Sequence, residues 1–208
     1  MARLGFFVLV FSFALYGAGV AASASTSNSS TTDYIVASCK ATRYPAVCVE
    51  CLSGYASLIR QNEQHLAQTA LSVSLSRAQS AAAFVAKMTQ VRGIKPRERE
   101  AVKDCTENMG DSVDRLSRSV KEFGQMGRAV GQDFMWHMSN VQTWISASLT
   151  DQNTCLDGFA GSVMDGNIKA AIRRRVINVA KVTSNALALV NRFAARHRAA
   201  AAASTEKP

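Results

Sequence analysis

The sequence lacks the local motifs on which most enzymes depend. It contains no Gly-x-Ser-x-Gly nucleophile elbow, no phosphate-binding glycine loop and no metal-ligand motif. Its three histidines, His65, His137 and His197, have no ligand spacing among themselves, and there is only one Cys-x-x-Cys pair. These absences argue against a catalyst, and they predict a protein that uses neither a metal nor a cofactor.

The sequence also lacks an apolar run long enough to span a membrane. The run Leu4–Tyr16 is shorter than the roughly 20 residues that a span needs, and no later stretch is longer. Because Arg3 precedes this run and small residues follow it, we predict a secretory signal peptide over residues 1–24. Cleavage after Ala24 fits best and cleavage after Ala22 is the second choice, whereas an uncleaved anchor is the less favoured alternative. The mature chain is then expected outside the cell, with no membrane attachment.

The two ends of the mature chain are predicted to be disordered. Ser25–Thr32 is a polar Ser/Thr stretch that cannot bury apolar surface. It contains Asn28, in the only clean sequon for N-glycosylation. We expect the same disorder for the tail over residues 199–208, which leaves one domain over residues 33–198.

No alternating β pattern is present, and four stretches instead carry apolar side chains at steps of three and four residues. These stripes run over residues 67–88, 102–123, 134–149 and 172–193. Glycine and proline separate them, as at Gly93 and Pro96. The pattern predicts an all-α, up-down-up-down four-helix bundle over about residues 61–198. A separate cysteine-bearing segment over about residues 33–60, broken by Pro45 and Gly54, precedes it. Trp144 is predicted to lie in the core, while Trp136 could be a core residue or an exposed anchor.

The five cysteines predict two disulfide bonds and one free thiol, as is typical of secreted chains. Cys105 lies on the apolar stripe of the second bundle helix, and Cys155 follows the third, where antiparallel neighbours meet. Cys39 could pair with Cys48 or Cys51 around Pro45. The residues alone leave these pairings open, because five cysteines allow about fifteen arrangements. A redox role for Cys48 and Cys51 is disfavoured, since no βαβ pattern surrounds them.

Several segments carry a resemblance to a known family. They are Ile35–Cys39 with a cysteine nine residues later, Ala101–Cys105, Ser146–Thr150 and Asn153–Phe159. In this order and spacing the chain resembles the plant invertase and pectin methylesterase inhibitor family over about residues 32–196. The resemblance implies Cys39–Cys48 and Cys105–Cys155 bridges with Cys51 free. It also implies an N-terminal helical hairpin that leans away from the bundle.

One more missing motif indicates which branch of the family the chain resembles. Members directed at invertase share a Pro-Lys-Phe stretch after the second long helix, whereas this chain has Gly124–Gly131 there. We therefore expect an inhibitor of pectin methylesterase that forms a 1:1 complex, covers the pectin-binding cleft and excludes the substrate. The alternatives are an inhibitor of cell-wall or vacuolar invertase and a non-inhibitory wall-binding protein. The expected location is the apoplast, in the plant cell wall.

An acidic stripe is the candidate contact surface. Asp104, Glu107, Asp111 and Asp114 share one helix face, which composition alone would explain as a solvated surface. The resemblance assigns partner contacts to five of this chain's residues: Glu107, Asp111, Asp114, Thr154 and Asp157. If Cys105 and Cys155 are bonded, the two groups lie side by side on neighbouring helices.

The last helix is strongly basic. The chain has a net charge of +9, and no acidic residue occurs from Ile168 to Arg198. A solvated outer face is one interpretation, and electrostatic retention on de-esterified pectin is the other. Nucleic acid is a poor candidate, because no stacking aromatic residues interleave with the arginines of a secreted chain.

Overall fold

The computed structural model describes residues 21–126, 129–164 and 166–205. Its helices are α1 (Ala21–Cys39), α2 (Pro45–Leu52), α3 (Ala56–Ile59), α4 (Glu63–Met88), α5 (Pro96–Gln125), α6 (Gly131–Asp157) and α7 (Asn167–Thr205). The described residues contain no β-strand, so the all-α prediction is confirmed. None of these helices is long and apolar enough to cross a lipid bilayer.

Local signals in the sequence set the starts of the long helices. Asn62 caps α4, because its side-chain Oδ1 accepts a hydrogen bond from the His65 backbone N–H at 2.9 Å. Pro96 begins α5, where its missing backbone N–H is harmless because the first N–H groups of a helix have no partner within the helix. Glu98 Oε2 accepts a hydrogen bond from the Lys95 backbone N–H at 3.1 Å. Gly93 turns the chain before α5 with a φ of +76°, a value that disfavours residues with a Cβ.

The four long helices form the predicted bundle. In the described chain α5 packs between α4 and α6, and α7 closes the ring by packing on both α4 and α6. Each helix therefore runs antiparallel to its two neighbours. The α5–α6 edge and the α4–α7 edge consequently lie on opposite sides of the bundle, which gives the molecule two separate helical faces.

A buried polar layer crosses the middle of the bundle, between two apolar clusters. It joins all four helices through Ser74, Ser112, Ser148, Gln152 and Thr183, each with no exposed surface. The side-chain Nε2 of Gln152 lies 2.9–3.1 Å from the hydroxyl oxygens of Ser112, Ser148 and Thr183. Its Oε1 is buried without a partner. Because these hydroxyls must meet at one level, the layer favours a single register of the helices.

The N-terminal hairpin packs on the bundle. Helix α2 contacts α4 and α7, where Cys51 and Leu52 are buried. Asn185 on α7 holds the start of α2, accepting a hydrogen bond from the Tyr44 N–H at 3.0 Å and donating to the Tyr44 carbonyl at 2.8 Å. The hairpin is present as predicted, and its second helix α2 packs into the groove between α4 and α7.

The structure contains a Cys39–Cys48 bridge within the hairpin and a Cys105–Cys155 bridge between α5 and α6. These are the pairs that the family resemblance implies. Cys51 is free and buried. Burial raises the pKa of the Cys51 thiol, and the nearby Arg77 guanidinium opposes that rise only in part. Cys51 is therefore protonated and unreactive in the folded protein at neutral pH.

The structure assigns helix to both segments for which the sequence predicts disorder. Helix α1 includes Ser25–Thr32, and α7 continues through the alanine-rich segment to Thr205. At the N-terminus Thr31 and Ile35 are buried, so packing supports the end of this helix despite its polar composition. At the C-terminus the alanines have high intrinsic helix propensity. The predicted signal peptide lies mostly outside the described residues, which begin at Ala21.

Candidate functional site

Three side-chain contacts fix the register of α5 against α6. The Cys105–Cys155 bridge lies at one level, and the Ser112 and Ser148 hydroxyls are 2.8 Å apart two turns further along. Toward the other end, Glu122 Oε1 lies 2.8 Å from His137 Nδ1. Because the helices are antiparallel, residues after Cys105 on α5 lie level with residues before Cys155 on α6.

The acidic residues predicted as contacts point to solvent on α5. Glu107, Asp111 and Asp114 are all exposed, together with Gly110 on the same turn. They line the α5 side of a shallow groove whose other side is α4. The small glycine leaves the backbone accessible between the carboxylates, so a partner surface could approach the helix closely.

The two predicted contact residues on α6 are also exposed, and they lie beside this stripe. Thr154 is adjacent to Cys155, and Glu107 is two residues from Cys105, so the two side chains occupy nearly the same level of the bundle. Asp157 follows Thr154 by three residues, which places it one turn on along the same side of α6. The Thr154 hydroxyl donates to the Thr150 carbonyl at 3.0 Å, which fixes its rotamer. All five residues are exposed on the outer sides of α5 and α6, and we call the surface that they form the α5–α6 face.

An ion pair on this face was not predicted from the sequence. Arg115 Nε donates to Asp151 Oδ2 at 2.7 Å, and it bridges α5 and α6 next to Asp111. Burial of Asp151 raises its pKa, the Arg115 guanidinium opposes the rise, and the Asp111 carboxylate adds to it. The only sequence signal was that an arginine and an aspartate occur on the two helices. Their pairing depends on the register.

The opposite end of the same face carries an aromatic side chain. Trp136 on α6 is 62% exposed, and its ring lies 5.0 Å from the His137 ring in an edge-to-face arrangement. The structure thus favours the anchor interpretation of Trp136 over the core interpretation. Trp144 was predicted to be a core residue, but it is only half-buried. Its position one residue from the buried Ile145 places it at the margin of the helix interface.

The shape of this surface limits its chemistry. Within the described chain no group of three or more acidic, histidine or cysteine side chains could hold a metal ion. The two helices of the α5–α6 face are joined by a disulfide, an ion pair and a buried hydroxyl–hydroxyl hydrogen bond. A rigid surface with exposed polar side chains is suited to contact with another macromolecule.

The fold is that of a disulfide-linked helical bundle, and comparisons with known proteins identify its family. The model of the plant invertase/pectin methylesterase inhibitor family matches residues 33–189. The chain therefore belongs to this family of enzyme inhibitors, and it is not an enzyme.

Several curated relatives carry more specific names. Pectinesterase inhibitor 9 of Arabidopsis thaliana is 57% identical over 83% of this chain and 86% of its own. The 21 kDa protein of Daucus carota is 52% identical over 91% and 96%, respectively. Pectinesterase inhibitor 11 of Arabidopsis thaliana is 48% identical over 95% of this chain and 100% of its own. Within the family, the chain thus groups with members named as pectinesterase inhibitors.

A solved structure supports the fold. It is a mutant form of a pectin methylesterase inhibitor from Arabidopsis, with a TM-score of 0.59 over 74% of this chain and 92% of that one. Its sequence identity is 19%, so this likeness shows the shared architecture alone.

Proposed function

We propose that the protein inhibits a pectin methylesterase by docking its α5–α6 face over the pectin-binding cleft of the enzyme. The observation that carries this proposal is the common level of Glu107 and Thr154, on two helices joined by the Cys105–Cys155 bridge. The relatives named as pectinesterase inhibitors support the choice of target enzyme.

The proposed mechanism is steric and requires no reaction. A 1:1 complex would place the rigid α5–α6 face where the pectin chain enters, and the substrate would be excluded. Because the face is held by the Cys105–Cys155 bridge and the Arg115–Asp151 ion pair, few side chains need to be ordered on docking. The carboxylates of Glu107, Asp111 and Asp114 supply charge complementarity, and this favours one orientation of the complex.

We place this activity outside the cell, in the apoplast and cell wall. The leader predicted over residues 1–24 supports secretion, and two disulfide bonds are typical of oxidising compartments. Glycosylation of Asn28 remains a prediction.

A parallel inhibition assay tests the target. The oxidised chain from Ser25 to Pro208 is mixed with a plant pectin methylesterase and, separately, with an acid invertase, across about pH 5 to 7.5. Loss of esterase activity alone supports the proposal. Loss of invertase activity alone would overturn it in favour of the invertase alternative. Loss of neither would overturn inhibition and favour the wall-binding alternative.

A second function, retention on de-esterified pectin through the basic helix α7, is favoured by the exposure of Arg174 and Arg175. Not every basic residue of α7 contributes, since Arg192 and Arg196 contact Glu63 at 2.8 and 3.5 Å. Chromatography of the chain on immobilised polygalacturonate at rising salt tests this retention. Elution in the first low-salt step would contradict it.

A further inference from the structure

The groove between α4 and α7 is apolar along one part of its length and positively charged along another. Helix α2 covers one part, and the side chains beneath it are apolar, among them Ala70, Val73 and Val182. Beyond α2 the groove is open to solvent. This open part is lined by Arg77, Ser80, Ala81, Arg174, Arg175, Asn178 and Val179. We call it the arginine cleft.

The arginine cleft concentrates positive charge. Arg77 stands on α4, while Arg174 and Arg175 stand on α7, so cationic side chains line both walls. The ion pairs found in the described part of the chain involve none of these three arginines. The cleft is also free of acidic lining residues. Its guanidinium groups are therefore available to external carboxylates.

Two contacts hold the cleft in shape. The Arg175 guanidinium carbon lies 3.9 Å from the centre of the Phe84 ring on α4, a cation–π contact across the groove. Arg77 interacts with the buried Cys51 thiol at the border with α2. Ser80 and Asn178 add neutral hydrogen-bonding groups between the arginines. Cations on both walls with amide and hydroxyl groups between them fit a linear chain that alternates carboxylates with hydroxyls.

We infer that the arginine cleft binds a de-esterified galacturonan chain, and that it does so while the α5–α6 face holds the esterase. This inference rests on the proposed function, because it takes the esterase as the partner of the other face. The cleft lies on the α4–α7 edge, which is opposite the α5–α6 edge in the ring of helices. The two ligands therefore approach from opposite sides and do not compete for space.

The ligand of the cleft is then the product of the enzyme that the other face inhibits. The esterase hydrolyses a methyl ester to a carboxylate and methanol, so carboxylates accumulate where it has acted. Binding of these carboxylates raises the local concentration of the inhibitor near the enzyme that produced them. Inhibition would thus be directed to regions that are already de-esterified, which is a form of product feedback.

Charge-matched variants test the ligand of the cleft. The cleft variant is Arg174→Gln/Arg175→Gln, and its control is Lys87→Gln/Arg198→Gln, which removes the same charge at exposed positions outside the cleft. We expect the cleft variant to bind polygalacturonate at least about tenfold more weakly than the parent. The control should lose less than about threefold, since it changes only long-range electrostatics. Equal losses in the two variants, or equal binding of fully methyl-esterified pectin by the parent, would overturn the inference.

A second measurement tests simultaneous binding. The affinity for a fluorescent oligogalacturonate is compared between the free inhibitor and its purified complex with the esterase, and in each case between parent and cleft variant. This comparison subtracts any binding by the enzyme itself. We expect the cleft-dependent binding to survive in the complex, and its loss there would overturn simultaneity. If the parent fails to inhibit the esterase in the activity assay, the proposed function is wrong. Binding of the oligogalacturonate to the free inhibitor would still test whether the cleft binds galacturonate.

Discussion

Arg115 on α5 donates from its Nε to Asp151 Oδ2 on α6 at 2.7 Å, and this ion pair lies within the proposed docking face. The pKa of Asp151 is nevertheless raised, because burial outweighs the favourable Arg115 guanidinium. The pair therefore serves less to stabilise the fold than to hold the two helices of the face in one arrangement.

This raised pKa gives a prediction about pH. The folded chain binds the Asp151 proton more tightly than the unfolded chain does. The resulting contribution to the free energy of unfolding is full below the unfolded pKa and is lost as pH rises through the folded pKa. We measure urea unfolding of the parent and of Asp151→Asn at about pH 3 and about pH 6.5. The parent-minus-variant difference in free energy should be smaller at the higher pH. A difference that grows with pH would mean that attraction to Arg115 outweighs desolvation.

The polar contacts on α6 give a prediction about inhibition. Thr154 and Asp157 are exposed, and their side chains make no contact that holds the bundle together. Thr154→Ala/Asp157→Ala should raise the inhibition constant for the esterase by about ten- to a hundredfold, the range of one or two strong interface contacts. Steady-state inhibition of the esterase measures this change, and circular dichroism melting checks that the fold is kept.

The matched control for that variant removes the same kinds of group elsewhere. Ser76→Ala/Asp33→Ala deletes an exposed hydroxyl on α4 and an exposed carboxylate on α1, both outside the α5–α6 face. This control should leave inhibition unchanged. An unchanged constant in Thr154→Ala/Asp157→Ala would place the interface elsewhere.

The buried polar layer gives a prediction about stability. Gln152→Ala leaves a cavity and removes the amide that lies within hydrogen-bond distance of three hydroxyls, so it should lower the free energy of unfolding by about 2 to 4 kcal/mol. Gln152→Met fills the space and removes the unpartnered Oε1, and Ser112–Ser148 and Ser74–Thr183 keep their mutual hydrogen bonds. Its cost should be below about 1.5 kcal/mol. Urea unfolding compares the two variants, and equal losses would show that the amide itself is indispensable.

Most of the fold could be predicted from the sequence, because apolar steps of three and four residues record which side of each helix is buried. The stripe through Val102, Cys105 and Met109 is fully buried in α5, as the pattern requires. The disulfide pairing needed the family resemblance, since both Cys48 and Cys51 lie on α2 within reach of the chain's first cysteine.

The features that could not be predicted from the sequence depend on contacts between different helices. The Arg115–Asp151 pair requires the register of α5 against α6, and periodicity within one helix carries no such information. The arginine cleft likewise requires α4 beside α7, so Arg77 could not be grouped with Arg174 from their separation in the chain. The helix assigned to Ser25–Thr32 could not be expected from composition, which describes a segment by itself and not its continuation into a packed helix.

Trp136 gives a prediction about the extent of the docking face. It precedes Thr154 by 18 residues, which is five turns of an α-helix, so both lie on one line along α6 about 27 Å apart. Its side chain is 62% exposed, and its neighbour His137 is held by Glu122. An exposed tryptophan on a rigid helix is a favourable anchor in a protein interface.

We therefore expect Trp136→Ala to raise the inhibition constant about tenfold while changing the free energy of unfolding by less than about 0.5 kcal/mol. Leu58→Ala is the control, because Leu58 is also 62% exposed and lies on α3, outside the α5–α6 face. The control should inhibit like the parent. If Trp136→Ala also inhibits like the parent, the docking face ends before the first turns of α6, and contact is confined to the end marked by Glu107 and Thr154.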